Sequence, residues 1–279
     1  MKFQLQTASG QAYEAYAYTG GKAFDAAKPT LVFIHGVLND HSVWILQTRY
    51  LAHHGFNVLA VDLPGHGRSG GEAPASVEEA AQFVAALLDA ARVKQAGLIG
   101  HSWGSLIALE TAARLKDRIT HLVLVGTAFP MKVSPALIEA SLNEPMKALQ
   151  MVNVFSRATL AAPPSVLGPG TWVYGASMAL GRRVLASNTH VNIFHRGFVA
   201  CDSYANGLEA MAALTCPVLF VLGEGDQMTP PRAAKSLIDQ AKATGKTFSV
   251  AKVPMGHHQM SESPEETLNA LKAFLGSQA

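Results

Sequence analysis

Little in this sequence supports a disulfide scaffold, a metal centre or a charged-polymer partner. Cysteine occurs only at Cys201 and Cys216, too few for the framework of a small secreted fold. Both read as small hydrophobic residues of a core. The 11 histidines are scattered, and the pairs His53-His54 and His257-His258 lack a helical i, i+4 zinc spacing. No metal or other cofactor is therefore expected. A formal net charge of +2 provides no electrostatic footprint for nucleic acid or an anionic membrane. No apolar run reaches the about 18 residues of a membrane span. Residues 1–10 have no apolar signal-peptide core, so a cytoplasmic location is the expectation. Internal repeats and low-complexity tracts are absent as well.

What is present is a hydrophobic chain with an orderly alternation. At 279 residues, 49% hydrophobic and 15% charged, it can bury a large core in one domain plus an insertion. Residues 2–6 and 12–18 read as a strand hairpin turning at Ala8-Ser9-Gly10. Uninterrupted apolar strands follow at Leu31-Val32-Phe33-Ile34, Asn57-Val58-Leu59-Ala60-Val61, residues 96–100 and Leu122-Val123-Leu124-Val125-Gly126. A helix over 42–54 is expected to bury Trp44, Leu46 and Leu51. A capping box at Ser76-Val77-Glu78-Glu79 opens another helix. Strand 218–222, helix 231–243, strand 247–253 and helix 264–275 complete the chain. Ser263-Pro264-Glu265-Glu266 offers the last helix an N-cap and a proline at its first position.

Strands alternating with helices specify an α/β fold: a mostly parallel, twisted sheet with helices on both faces. Between 129 and 215 the texture changes to Ala, Met and short helical patterns, too long for a plain loop. The expected division is a core of 1–128 plus 216–279 and a helical cap, or lid, over 129–215.

One stretch carries chemistry. Leu98-Ile99-Gly100-His101-Ser102-Trp103-Gly104-Ser105-Leu106 reads as a buried strand, a sharp turn and a helix. The turn holds G-x-S-x-G, whose glycines remove the side chains that would collide. It aims the Ser102 hydroxyl toward the positive end of the next helix, which makes Ser102 a candidate nucleophile. A serine hydroxyl needs a base, and the base needs a carboxylate to hold its tautomer. Asp226, in Gly223-Glu224-Gly225-Asp226, and His257, in Gly256-His257-His258, each follow a strand and stand in the required order. Glu224 and His258 are their rivals. In open parallel sheets the site lies at the carboxyl ends of strands, and His35, Ser102, Asp226 and His257 all sit there. The loop after His35-Gly36 can aim backbone N–H groups at a substrate oxygen.

These motifs, with Asp62-Leu63-Pro64-Gly65-His66-Gly67-Arg68-Ser69 and Gly256-His257 followed by Glu262 and Pro264, make the chain resemble the α/β-hydrolase superfamily in its capped esterase and lipase-like branch. The resemblance covers nearly the whole chain except the insertion. It implies Ser102 as nucleophile, Asp226 as acid and His257 as base. It also implies an oxyanion hole from the N–H groups of Val37 and Trp103. Asp62, His66 and Arg68 read as a structural loop. A serine at the nucleophile position argues against the aspartate-dependent dehalogenase and epoxide hydrolase relatives.

The expected substrate is a small-molecule ester with a small or medium apolar acyl group, handled by a monomer or homodimer. Candidate pocket residues are His35, Leu38, Trp172, Tyr174, Phe198 and Met228. Phe155 and Phe194 join the aromatic residues of the insertion, which form either a pocket roof or that segment's own core. Arg182-Arg183 and Arg196 read as acid binders or as solvated surface. A carbon–carbon bond hydrolase, an aminopeptidase and a non-catalytic binding protein are the alternatives. The aminopeptidase would need an acidic cluster for the substrate amine.

Overall fold

A computed structural model describes residues 1–6, 10–158 and 173–276. Its centre is an eight-stranded sheet in the order β1-β2-β4-β3-β5-β6-β7-β8. The strands are β1 (Lys2–Gln6), β2 (Ala12–Tyr18), β3 (Thr30–Ile34), β4 (Asn57–Val61), β5 (Ala96–His101), β6 (Ile119–Val125), β7 (Val218–Gly223) and β8 (Phe248–Val253). β2 runs antiparallel to both of its neighbours. From β4 to β8 every pairing is parallel. Ala8 and Ser9 of the expected hairpin turn lie outside the described residues.

The inner parallel strands carry apolar side chains toward both faces of the sheet because helices cover both. Val32, Ile34, Leu98, Leu122, Leu124, Phe220 and Leu222 point into one core. Their sequence neighbours Leu31, Phe33, Ile99, Val123, Val125, Leu219 and Val221 point into the other. That is the period of two of a pleated strand. Each such side chain contributes about 1.5–3 kcal/mol on full burial.

α2 (Val77–Ala90) and α3 (Trp103–Leu115) pack into the first core. Leu51 of α1 (Ile45–His53) packs into the second core. So do Leu271, Phe274 and Leu275 of the C-terminal helix (Pro264–Gly276). The Ser76 hydroxyl caps α2 by accepting from the Glu79 N–H at 3.1 Å, and the Glu79 carboxylate accepts from the Ala75 N–H. The last helix begins at Pro264, directly after Ser263, whose carbonyl accepts from the Thr267 N–H at 2.9 Å and whose hydroxyl donates to the Pro254 carbonyl. Leu46 is also a correction. It is 47% exposed, because a short 3-10 turn over His41–Trp44 precedes α1 and shifts the buried face to Gln47, Thr48, Leu51 and Ala52.

Between β6 and β7 the described chain is helical: α4 (Pro135–Asn143), α5 (Pro145–Ser156), α6 (Val173–Ala186), α7 (Ile193–Ser203) and α8 (Gly207–Ala213). Leu137, Ala148, Leu149, Val184, Phe194 and Phe198 form a third apolar cluster, which also takes in Leu38 and Ala73 from the sheet loops. Polar contacts bind the rim of this segment to the same loops. Arg183 donates to Asp40 Oδ2 at 2.7 Å, Arg196 to the Ala73 carbonyl at 2.7 Å, and Asn188 to the Gly65 carbonyl at 3.2 Å. Arg183 and Arg196 thus fasten the segment to the sheet loops, while Arg182 and Arg183 are exposed, in keeping with the solvated-surface reading.

Candidate active site

The serine turn is built by backbone crowding. Ser102 has φ 52° and ψ −120°, a left-handed conformation that costs a non-glycine residue about 1–3 kcal/mol. Its N–H donates to the Val125 carbonyl at 2.9 Å, and its carbonyl accepts from the Ser105 N–H at 2.8 Å. The flanking glycines let strand and helix meet. A Cβ on Gly100 would lie 2.0 Å from the Gly104 carbonyl oxygen, and one on Gly104 would lie 2.4 Å from the Ile34 carbonyl oxygen. No side chain fits at either place.

Asp226 and His257 are in direct contact. His257 Nδ1 lies 2.8 Å from Asp226 Oδ2, so Nδ1–H donates and Nε2 is left as the basic nitrogen. The carboxylate is held from several sides. Oδ1 accepts from the N–H groups of Met228 and Thr229, each at 2.8 Å. Oδ2 also receives the Thr229 hydroxyl at 2.8 Å and Gln259 Nε2 at 3.3 Å. Burial alone would raise the Asp226 pKa. The charge and hydrogen bond of His257, with the Thr229 donors, outweigh burial and hold the carboxyl well below its ordinary range. Glu224, the rival acid, is exposed on the same loop, with its N–H on the Val253 carbonyl.

Three contacts fix the His257 loop. Its N–H donates to the Ser156 carbonyl at the end of α5 at 2.7 Å. Its carbonyl accepts from His101 Nε2 at 2.7 Å. The Glu262 carboxylate takes the N–H groups of Ala158 and His258, each at 3.1 Å. His101 is fully enclosed, and burial with the neighbouring His257 charge lowers its pKa to about 3, so it stays neutral and donates. Burial, then the Arg157 charge, push His258 well below its usual pKa. Thr229, Gln259 and His101 escaped the sequence reading. His101 is the free position inside G-x-S-x-G, and Thr229 stands three residues after Asp226; neither spacing announces a bond to the triad loops.

Ser102 and His257 both line two adjoining cavities, of about 460 Å³ and about 310 Å³. Val37, Phe198 and Met228 are shared by both. Leu38 lines the larger one. Of the aromatic residues in the insertion, Phe194 faces the larger cavity and Phe155 the smaller.

Other pocket candidates are corrected. His35 is fully buried and lines neither cavity, because its Nδ1 lies 2.8 Å from the Gly36 carbonyl and its Nε2 accepts from the Leu63 N–H at 3.1 Å. Tyr174 shares α6 with the lining residues Val173, Ala176, Ser177 and Leu180, yet lines neither cavity. Trp172 lies outside the described residues. The Trp103 side chain is 1% exposed within the first core, which leaves only its backbone for the site. Trp103 opens α3, where N–H groups have no partner inside the helix. Asp62 has the structural role read from its loop: it accepts from the His41 N–H, the His41 ring and the Arg68 N–H.

A profile of the alpha/beta hydrolase fold matches residues 29–264. The chain belongs to that family. It is similar to a non-heme chloroperoxidase of Streptomyces lividans, with 29% identity over 272 residues, 88% of this chain and 91% of that protein. It is 35% identical over 112 residues to a dihydrolipoyllysine-residue acetyltransferase component of an acetoin cleaving system from Cupriavidus necator. That match takes in 40% of this chain but only 28% of the longer protein. Among solved structures, an esterase from Exiguobacterium antarcticum superposes with a TM-score of 0.80 at 18% identity, covering 99% of this chain and 100% of that one. Among the described residues no helix is long and apolar enough to cross a membrane.

Proposed function

We propose that this α/β hydrolase is a serine esterase that cleaves a carboxylic ester of a small or medium apolar acyl group through an acyl-enzyme. Ser102 attacks the carbonyl. His257 takes its proton through Nε2, while Asp226 orients the ring and balances its charge. The N–H groups of Val37 and Trp103 receive the developing oxyanion, each worth about 2.7–4 kcal/mol when removed. His257 then gives that proton to the departing alkoxide, which leaves as the alcohol, and the acyl-enzyme remains. Water, deprotonated by the again neutral His257, attacks the acyl carbon and releases the acid, and the proton returns to the Ser102 oxygen.

The observation that carries this reading is the 2.8 Å contact of His257 Nδ1 with Asp226 Oδ2, together with Ser102 and His257 lining the same cavities. The likeness to an esterase structure agrees with it. An aminopeptidase is less well supported: the described residues lining both cavities include no Asp or Glu to receive an amine.

Residues 129–215 serve in this proposal as a cap that closes over the serine. Their contribution of Leu149, Phe194 and Phe198 to the larger cavity supports that role. The test is a fluorophosphonate probe with a panel of short p-nitrophenyl esters. Labelling at Ser102 and ester turnover are expected. An unlabelled Ser102 and an inert panel would reject the proposal.

A further inference from the structure

We propose that the larger cavity contains a carboxylate subsite built on Arg157, so that the substrate limb lying there ends in a free carboxylate. This deepens the esterase reading and rests on it for the word substrate; the binding site itself does not require turnover.

The argument begins with charge. Arg157 is the one Lys or Arg among the described residues lining the larger cavity, and none of those residues is Asp or Glu. It follows α5 directly and is 8% exposed. Burying a guanidinium is costly unless its donors are used. Here they are used incompletely. Nη2 donates to the Ser177 hydroxyl, and Nη1 reaches the Ser261 hydroxyl only at 3.5 Å. Nε is buried and finds no hydrogen-bond partner among the described residues.

Glu262 does not fill the gap. Its nearest oxygen is 4.0 Å from Nη1, beyond hydrogen-bond length. Its two oxygens already accept from the Ala158 and His258 N–H groups. Glu262 therefore offsets the buried charge at ion-pair distance, and with Nε closed off, the hydrogens that Nη1 and Nη2 hold beyond their serine contacts are the donors left for a ligand. Ser177, Ser261 and His258 line the cavity beside Arg157. A planar fork of donors with neutral hydroxyls at its edge matches a carboxylate. The rest of the lining is mostly Leu, Val, Ile, Phe and Met, so the limb between ester and acid is apolar.

Ser102→Ala enzyme tests this without chemistry. Binding of the monomethyl esters of dicarboxylic acids, from succinate to suberate, is measured by calorimetry against the corresponding dimethyl esters. At least one monoester is expected to bind about tenfold to a hundredfold tighter than its diester, the range of a charged hydrogen bond. Adding Arg157→Gln should bring that monoester down to the diester's affinity and leave the diester unchanged. Arg157→Lys, which keeps the charge and loses the fork, should fall between and serves if the glutamine variant does not fold. Diesters binding as well as monoesters throughout, no binding by any member, or equal weakening of both by Arg157→Gln would each overturn the proposal. A fluorophosphonate-inert wild-type enzyme that still prefers the monoester would reject the esterase reading and keep the subsite.

Discussion

His101 Nε2 donates to the carbonyl oxygen of His257 at 2.7 Å. The residue before the candidate nucleophile thus holds the main chain of the candidate base. Losing a buried hydrogen bond of this kind costs about 1–3 kcal/mol. His101→Phe is expected to lower kcat about tenfold, because the His257 ring would be misaligned once its carbonyl loses this donor. Steady-state kinetics on a p-nitrophenyl ester checks it; a change confined to KM would remove His101 from the positioning role.

Thr229 joins two loops through one hydroxyl. It lies 2.9 Å from the Gly126 carbonyl, 2.8 Å from Asp226 Oδ2 and 3.0 Å from His257 Nδ1. Thr229→Val keeps the shape and leaves these buried groups short of a partner. Stability should drop by about 1–3 kcal/mol, and kcat should fall with it. Urea unfolding and turnover, measured on the same preparation, read the two effects.

The two adjacent histidines are expected to separate cleanly. His257→Ala removes the group that contacts Asp226, and the loss of rate should be about 10²–10⁴-fold. His258 makes its Glu262 contact through the backbone N–H, so His258→Ala should keep most of the activity on neutral esters. The reverse ranking would move the base to His258.

Gly104→Ala tests the serine turn by volume alone. The added methyl would sit 2.4 Å from the Ile34 carbonyl oxygen and 2.6 Å from that of His35. Both are main-chain atoms of β3 and its end, so relief requires moving strand against helix. The variant should lose at least about 1–3 kcal/mol and react poorly with the fluorophosphonate probe. Wild-type melting and labelling would contradict the crowding argument.

Buried histidines give stability a definite pH dependence. Burial, with the His35 charge for His66 and the His257 charge for His101, lowers both pKa values to about 3. The unfolded chain takes up these protons near pH 6.5, and the folded chain does not until about 3. Between those limits only the unfolded state binds the proton, so stability falls as the solution is acidified. The slope is up to about 1.4 kcal/mol per pH unit for each residue. Urea midpoints at about pH 7 and about pH 5 should show the drop, and His66→Gln should make it shallower.

The strands were legible because their apolar periodicity is local. β1, β2 and β4 span the residues read from the sequence, and β3, β5, β6, β7 and β8 differ by a residue or a few at their ends. Asp226 and His257 were legible for another reason: a parallel sheet delivers every strand end to one rim, so position after a strand predicts neighbourhood. Of the side chains lining the cavities, Leu38, Phe198 and Met228 were named from the sequence, and most of the others were not legible. His35 follows a strand as Ser102 does, but its ring turns inward to the Gly36 carbonyl and the Leu63 N–H. Leu46 sits in an amphipathic helix, but the preceding 3-10 turn changed its phase. Arg157 had no signal at all, because its burial depends on Ser177 and Ser261, which are distant in sequence. Contacts across an insertion carry no period that a reader could follow.

If the proposed acyl-enzyme forms on Ser102, the place of that residue in the wall shared by two cavities has a consequence for the order of events. An acyl group lodged in one chamber leaves the opposite one vacant as soon as the first fragment departs. Whatever small nucleophile next occupies that vacancy decides the outcome, water giving the acid and an alcohol giving a new ester. Partition between hydrolysis and transfer is then set by the contents of the emptied compartment, not by the catalytic side chains.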